Sequence, residues 1–315
     1  DCSSDCKVVY QNATETAIYF ADCDNATCSS GTTTLLDGNT GCVLSGCQDE
    51  PMGQYNNISC VASNNCKVTY YNYLVDALSF GDCARVDCTT SGTILVGDGG
   101  SGYSLTGCST TADVGAYNDI DCVGGDDDCK IAYRNNDDAD LYFADCDHAR
   151  CASGTSTYVD GSGSGGQSPG YYMAIDCSTA DNCKAVYYDF NDGALRFRDC
   201  NDATCSSGTT VILDGNESCQ MTNCQSGDDT GQYASIDCSV GTNDCKISYY
   251  NATEQSLYIA DCDSETCNIG TTTLLDGDTG CNLTGCQTAE TIGTASQIDC
   301  SNGATDCKVA YINST

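Results

Sequence analysis

Asp261-Cys262, four residues, Cys267 is one instance of a phrase that recurs about every sixty residues. The others are Asp22-Cys23 to Cys28, Asp82-Cys83 to Cys88, Asp145-Cys146 to Cys151 and Asp199-Cys200 to Cys205. A fixed period of this kind means one module copied along the chain, and it has to be recognised before any single element is assigned. The module reads well from Gln232 to Asp276. Gln232-Tyr233-Ala234-Ser235-Ile236-Asp237-Cys238 leads through a polar turn to Cys245-Lys246-Ile247-Ser248-Tyr249-Tyr250. The turn Asn251-Ala252-Thr253-Glu254 follows, then Leu257-Tyr258-Ile259-Ala260-Asp261-Cys262, the Cys-bounded loop, and Thr271-Thr272-Thr273-Leu274-Leu275-Asp276. These are four short runs rich in Val, Ile, Tyr and Thr, parted by Asn, Asp, Ser and Gly, the signature of antiparallel strands joined by tight turns.

The alternation inside the runs agrees. The third run carries Ile18/Phe20, Leu78/Phe80, Leu141/Phe143, Leu195/Phe197 and Leu257/Ile259, with Tyr19, Ser79, Tyr142, Arg196 or Tyr258 between them. The second run carries Val8/Tyr10, Val68/Tyr70, Ile131/Tyr133, Ala185/Tyr187 and Ile247/Tyr249. A period of two predicts strands with one buried face. No segment has a helical period, so the expected fold is all-β. Modules fall at about 1–53, 54–115, 116–169, 170–231 and 232–293, with a partial one at 294–315, in a single repeat domain. One four-stranded sheet cannot bury its apolar face alone. A five-bladed β-propeller is the expected architecture, and an open linear array of β modules is the alternative.

Cysteine spacing predicts three kinds of disulfide. The first joins run one to run two: Cys2–Cys6, Cys60–Cys66, Cys122–Cys129, Cys177–Cys183, Cys238–Cys245 and Cys300–Cys307. The second closes the loop after run three: Cys23–Cys28, Cys83–Cys88, Cys146–Cys151, Cys200–Cys205 and Cys262–Cys267. The third follows run four: Cys42–Cys47, Cys219–Cys224 and Cys281–Cys286. This uses 28 of the 29 cysteines and leaves Cys108 over, with Tyr103 where its partner would stand. Cys108 reads either as a buried thiol or as a link to another chain. Each bridge closes a short loop and contributes roughly 2 kcal/mol on a chain-entropy count.

So many cysteines predict an oxidising, extracellular or cell-surface location. Zinc is disfavoured, because His148 is the sole histidine. The formal charge of −34, from 45 acidic and 11 basic residues, argues against nucleic acid and anionic membrane partners. No apolar stretch is long enough to span a bilayer, and no signal peptide is visible, which reads as a mature secreted product. Sequons at Asn12, Asn25, Asn57, Asn216, Asn251, Asn282 and Asn313 predict N-linked glycans. Ca²⁺ is the metal with the best candidates, at Asp37-Gly38-Asn39, Asp276-Gly277-Asp278, Asn135 to Asp140 and Asp126 to Asp128; no other cofactor is expected.

The consensus Lys-Ile-Ser-Tyr-Tyr, Leu-X-(Phe/Ile)-Ala-Asp-Cys, four residues, Cys, Ser-Gly-Thr-Thr-Thr and Leu-Asp is matched best by Cys183 to Asp214 and Cys245 to Asp276. It resembles a repeat of secreted bacterial proteins of mostly unassigned function. That resemblance implies one β-propeller blade per repeat and supplies no catalytic residue. The added Cys pair between runs one and two departs from it.

Function is less legible. His148 lies alone in a Cys-bounded loop, and the paired carboxylates recur on turns, where Asp and Asn fold back on their own backbone. The expectation is therefore not an enzyme. It is an extracellular structural glycoprotein that self-associates into a fibre, sheath or surface layer through incomplete terminal modules. The alternative is a carbohydrate- or protein-binding propeller, adhesin- or lectin-like, with exposed Tyr19, Tyr142 and Tyr258 stacking on sugars.

Overall fold

The computed structural model describes residues 6–314 except 26–27, 48, 50–51, 63–64, 84–87, 89–90, 98–104, 109–112, 124–127, 149, 162–166, 217, 240, 242, 279, 288–290, 301–302 and 304. Cys2, and with it the Cys2–Cys6 pair, Tyr103 and Asp126 lie outside these residues. The chain forms two compact units, Asp1–Val159 and Asp160–Thr315. The described residues form strands and turns and no helix.

In the first unit, sheet one is Lys7–Asn12 (β1), Ala17–Cys23 (β2) and Gly31–Asp37 (β3). Leu44–Ser45 (β4) runs parallel to the edge of sheet two, which comprises Met52–Ala62 (β5), Asn65–Asn72 (β6), Ala77–Cys83 (β7) and Ser91–Gly97 (β8). Sheet three is Val114–Cys122 (β9), Cys129–Asn135 (β10), Asp140–Cys146 (β11) and Gly154–Asp160 (β12). In the second unit, sheet four is Tyr171–Thr179 (β13), Asn182–Asp189 (β14), Ala194–Cys200 (β15) and Gly208–Asp214 (β16). Sheet five is Thr230–Asp237 (β17), Lys246–Asn251 (β18), Ser256–Cys262 (β19) and Gly270–Asp276 (β20), and Ile292–Asp299 (β21) pairs with Lys308–Asn313 (β22) in a two-stranded sheet. Apart from β4, neighbours are antiparallel and follow chain order, as tight turns require.

The strands are buried more fully than their alternation predicts. In β6, β10 and β18 every residue is buried, and so is every residue of β7. A single buried face is therefore not the rule here. Within each unit sheets pack face on face, and a central sheet is covered on both sides, in the manner of propeller blades. The core lies between the sheets. Ile18 and Phe20 of sheet one meet Val68 and Tyr70 of sheet two. Leu78 and Phe80 meet Ile120, Ile131 and Tyr133 of sheet three. Leu195 and Phe197 of sheet four meet Ile236, Ile247 and Tyr249 of sheet five. Strand three of one sheet thus packs on strands one and two of the next. Gly231 allows this approach: its φ is +105°, and a Cβ there would stand 2.7 Å from the Cα of Leu195. Gly115 stands against Leu78 in the same way.

Two hydrogen bonds recur across these interfaces. Tyr70, Tyr249 and Tyr311 of strand two each donate a hydroxyl, at 2.6 Å, to the Asp that ends the preceding sheet: Asp37, Asp214 and Asp276. In modules one, two, four and five the turn before strand three offers a carbonyl to the next strand one. The pairs are Thr16 with Met52 at 2.7 Å, Asp76 with Val114 at 3.0 Å, Gly193 with Thr230 at 3.1 Å and Gln255 with Ile292 at 3.0 Å.

Inside each of sheets one to five a lysine is buried. Lys7, Lys67, Lys130, Lys184 and Lys246 open strand two and pair with Asp22, Asp82, Asp145, Asp199 and Asp261 at the end of strand three. The partners face each other in register, and fifteen residues separate each pair. Burial opposes charge on both partners. In Lys130 the carboxylates of Asp128 and Asp145 outweigh it, so the ammonium is held above its ordinary pKa; in Asp145 burial outweighs the pull of Lys130 and the carboxyl is held above its ordinary range.

Disulfides staple the turns. They join Cys23 to Cys28, Cys83 to Cys88, Cys146 to Cys151, Cys200 to Cys205 and Cys262 to Cys267 after strand three. Between strands one and two they join Cys60 to Cys66, Cys122 to Cys129, Cys177 to Cys183, Cys238 to Cys245 and Cys300 to Cys307. After strand four they join Cys42 to Cys47, Cys219 to Cys224 and Cys281 to Cys286. Cys108 keeps a thiol, which donates to the Leu105 carbonyl at 2.9 Å and packs against the core between sheets two and three.

Removing one member of a buried ion pair leaves the other charged and desolvated. K130M should lower the unfolding free energy by about 3–5 kcal/mol, measured with denaturant in the absence of reductant. Adding Asp145→Leu should recover most of that loss. A single-variant loss below about 1 kcal/mol would mean that the pair is solvated.

Burial, and then Asp214, hold the Tyr249 hydroxyl well above its ordinary pKa of 10.0. Burial pulls Lys246 down, but the carboxylates of Asp244 and Asp261 outweigh it and hold the ammonium above its ordinary pKa. Groups raised in the folded state favour folding fully below their unfolded pKa, and that contribution fades as pH rises. Stability should therefore fall above pH 10. The buried tyrosines should ionise only as the chain unfolds, read as tyrosinate absorbance that follows loss of β circular dichroism. Smooth reversible titration of all tyrosines without unfolding would contradict this.

Candidate functional site: an aromatic and carboxylate groove

The hairpin turn after β14 and the connection from β16 to β17 enclose an open groove of about 560 Å³ in the second unit. Its geometry begins with turn chemistry. Asp189 accepts backbone N–H groups from Asn191 at 3.2 Å and from Ser168 at 3.1 Å. This holds the turn so that Phe190 projects outward, 60 % exposed. Tyr171 lies 5.7 Å from the Phe190 ring, and Tyr188 meets it edge-on at 6.4 Å. Together they form an aromatic wall.

Carboxylates stand on the other elements lining the groove. Asp229 Oδ1 accepts the Tyr188 hydroxyl at 2.6 Å, and Asp228 Oδ2 accepts Asn251 Nδ2 at 2.9 Å. Burial first, and then Asp229, hold the Tyr188 hydroxyl well above its ordinary pKa, so Tyr188 remains a donor. Asp192 pairs with Arg196, which also meets Asp189 at 3.1 Å. Among the described residues no Lys or Arg lies within ion-pairing distance of Asp228 or Asp229. Glycines line the groove as well. Gly227 N–H donates to Gly215 O at 2.8 Å, and at Gly215, with φ +95°, a Cβ would stand 2.4 Å from Gly193 O. Asn216 and Ser218 complete the lining, so one sequon asparagine borders the groove.

The other residues singled out in the sequence lie elsewhere. Tyr258 is buried and stacks on Tyr249, so its reading as an exposed platform is corrected: sheet five folds it into the core. Tyr19 and Tyr142 are half-buried and stack on Tyr10 and Tyr133 of strand two. His148 Nδ1 accepts the Arg150 N–H at 3.3 Å. In the equivalent loop Asp202 accepts from Thr204, Ser206 and Ser207, which hold it well below the usual carboxylate range despite slight burial. His148 thus occupies a turn-capping position.

The Ca²⁺ candidates are engaged in the same chemistry. Asp37 accepts Gly38 N–H at 2.8 Å as well as the Tyr70 hydroxyl, and Asp276 accepts Gly277 N–H at 2.9 Å as well as Tyr311. Asn135 accepts N–H groups from Asp137 and Asp138, and Asp128 pairs with Lys130. Cys42 and Cys47 lie beside Asp37, and the same holds at Asp214 and Asp276, but these sulfurs are joined in disulfides and are not thiolate ligands. Among the sequon asparagines, Asn251 is buried, with Nδ2 donated to Asp228. Asn25 donates to Ser30 Oγ, Asn57 to Asn118 O and Asn282 to Leu274 O; Asn12 caps its turn, and Asn313 is exposed.

Sequence reasoning missed the groove because its parts lie far apart in the chain. The one available signal is local. Phe190 stands at a turn position held by Ala13, Asn136 and Ala252 in other modules, where a large apolar side chain has no sheet to cover it.

No protein-family model matches this chain, and no curated protein matches it. Solved structures do resemble it. A polysaccharide lyase, the PL25 ulvan lyase bound to -[GlcA(1-4)Rha3S]-, aligns at a TM-score of 0.54 with 8% identity, over 95% of this chain and 68% of that one. A protein of unknown function from Dyadobacter fermentans aligns at 0.50 with 8% identity, over 88% and 84%. An exo-β-1,3-galactanase from Clostridium thermocellum aligns at 0.47 with 8% identity, over 88% of this chain and 56% of that chain. The chain spans about half the length of the galactanases it matches.

At these identities the likeness is one of fold, an all-β fold of propeller type. It corrects one expectation. The exclusion of enzymatic activity does not stand, because the structures that share this fold include a polysaccharide lyase. The sequence argument rested on the want of a histidine partner. Carboxylates alone can serve as acid and base, and here Asp192, Asp228 and Asp229 line one groove.

Proposed function

We propose that this chain is an extracellular carbohydrate-binding protein of β-propeller type, and that the groove beside Phe190 is where it takes a sugar. The observation that carries this reading is the exposed Phe190 ring, backed by Tyr171 and Tyr188, in the same groove as Asp192, Asp228, Asp229 and Asn216. Sugar rings present apolar C–H faces to aromatic rings and hydroxyls to carboxylates and amides, so a binding site needs both on neighbouring walls. The disulfides suit an oxidising exterior. Among the described residues no helix is long and apolar enough to cross a membrane.

Charge selects among sugars. Of the three groove carboxylates, only Asp192 has a cationic partner among the described residues. A uronate or sulfate placed about 5 Å from Asp228 or Asp229 meets a repulsion of about 1–3 kcal/mol, and an ammonium gains as much. The -[GlcA(1-4)Rha3S]- chain of the ulvan lyase is anionic, and this groove repels that class. The ligand class is a neutral or ammonium-bearing oligosaccharide.

An array of neutral, amino and uronic oligosaccharides tests this. Binding should appear for the first two classes and be absent for the third. F190A should weaken it about tenfold, the factor that roughly 1.4 kcal/mol gives. Binding confined to uronates, or unchanged in F190A, would overturn the assignment. Reducing ends released from a bound sugar would identify the carboxylates as catalytic.

A second reading, as a subunit that assembles with its own copies, is supported by one face of sheet one. Val8 and Tyr10, whose counterparts in sheets two to five are buried, are 42 % and 39 % exposed. Negative-stain microscopy of native material should then show continuous assemblies; isolated particles at all concentrations would exclude it.

A further inference from the structure

We infer that the first unit carries a second sugar site equivalent to the groove, so that one chain binds two sugar segments. The inference rests on the proposed role of the groove and extends it to residues outside that groove.

The correspondence is residue by residue. Tyr71 stands in β6 where Tyr188 stands in β14, and Tyr73 follows it as Phe190 follows Tyr188. Tyr71 donates its hydroxyl to Asp113 Oδ1 at 2.8 Å, as Tyr188 donates to Asp229 at 2.6 Å. Both aspartates lie just before strand one of the next sheet. Both N–H groups donate to the following hairpin turn, that of Asp113 to Asp137 at 3.2 Å and that of Asp229 to Thr253 at 2.9 Å. Burial, and then Asp113 and Asp76, hold the Tyr71 hydroxyl well above its ordinary pKa, so it too remains a donor.

The supporting rings repeat as well. Tyr55 and Tyr117 approach to 4.4 Å in the first unit, and Tyr172 and Tyr233 to 4.4 Å in the second. All four adopt positive φ, between 48° and 54°, a strained conformation for a residue with a Cβ. Tyr71 meets Tyr55 at 6.5 Å, and Tyr188 meets Tyr172 at 6.2 Å. The outermost ring meets its neighbour edge-on in both places, at 85° for Tyr73 and 86° for Phe190. Tyr73 is 39 % exposed.

Modules one, three and five lack this feature. Gln11, Arg134 and Tyr250 occupy the inner position, but Ala13, Asn136 and Ala252 occupy the outer one. The aromatic wall therefore belongs to alternate modules. Core packing does not require it, since sheets three and five fold without it. The two sites differ in their acceptors. Leu74 and Val75 stand where Asn191 and Asp192 stand in the groove, Asp76 where Gly193 stands, and Ala112 where Asp228 stands. The first-unit site thus offers fewer hydroxyl acceptors, and it is the weaker of the two.

Isothermal titration of the whole protein with a β-1,4-linked glucosamine tetramer tests this. Wild type should bind two tetramers with unequal affinity. Y73A should bind one, losing the weaker event, while Y73F keeps both. F190A should lose the tighter event and keep the weaker. One tetramer per wild-type chain, with Y73A unchanged, would overturn the second site and leave the groove standing. No binding to wild type, with the array negative for neutral and amino sugars, would overturn the groove and the second site with it.

Discussion

The buried lysine–aspartate pair is the constraint on which the sheets depend. Each lysine of β1, β6, β10, β14 and β18 is buried and faces an aspartate across the hairpin, fifteen residues away. Such a pair adds little net stability over an apolar couple of the same shape, because desolvation offsets most of the attraction. Its effect is on alternatives. A slip of one residue would turn the lysine to the other face, leaving two buried charges apart. The pair therefore fixes register where tight turns and repeated Thr and Tyr would otherwise permit several pairings. The bridge that follows the aspartate, such as Cys200–Cys205, holds the strand end that carries it.

Register in turn sets how sheets meet. With strand three fixed, Leu195 and Phe197 face sheet five, and Gly231 lets β17 come close to Leu195. With strand two fixed, Tyr249 reaches back to Asp214. That aspartate is buried, and burial holds its carboxyl above the ordinary range, although the Tyr249 hydroxyl and two backbone N–H groups pull the other way. Within each unit such Tyr–Asp hydrogen bonds join one sheet to the next alongside the apolar packing.

The surface follows a different logic. Acidic residues such as Asp37, Asp202, Asp214 and Asp276 accept backbone N–H groups at turns, so part of the large negative charge is turn chemistry repeated along the chain. The groove is where this pattern changes. Against modules one, three and five, Asp189 replaces an asparagine, Arg196 replaces a tyrosine, and Phe190 replaces a small or polar residue. Departure from a repeat at three neighbouring positions, next to a cavity, is what separates a site from scaffold. The fold alone does not choose among functions, since resembling chains include enzymes.

The all-β class, the four strands per module and the short Cys-bounded loops were legible because each depends on local spacing: period two, turn residues and short covalent loops. The lysine–aspartate pair was equally available, since every lysine follows a cysteine and stands fifteen residues before an Asp-Cys wherever strand three is present. It was missed because charge was counted over the chain rather than by position. Tyr258 and Phe190 mark the limit. Both are aromatic and both lie in or beside a hairpin, yet one is buried and the other faces solvent. What decides between them is the sheet packed alongside, and burial by a neighbour some fifty residues away leaves no trace in the local period. The sequence by itself determined the repeating strand unit. Only the tertiary structure decided which tyrosines became core, and that residues 188–193 and 215–229 would line one groove, because that depends on how sheets stack and not on how any one strand is written.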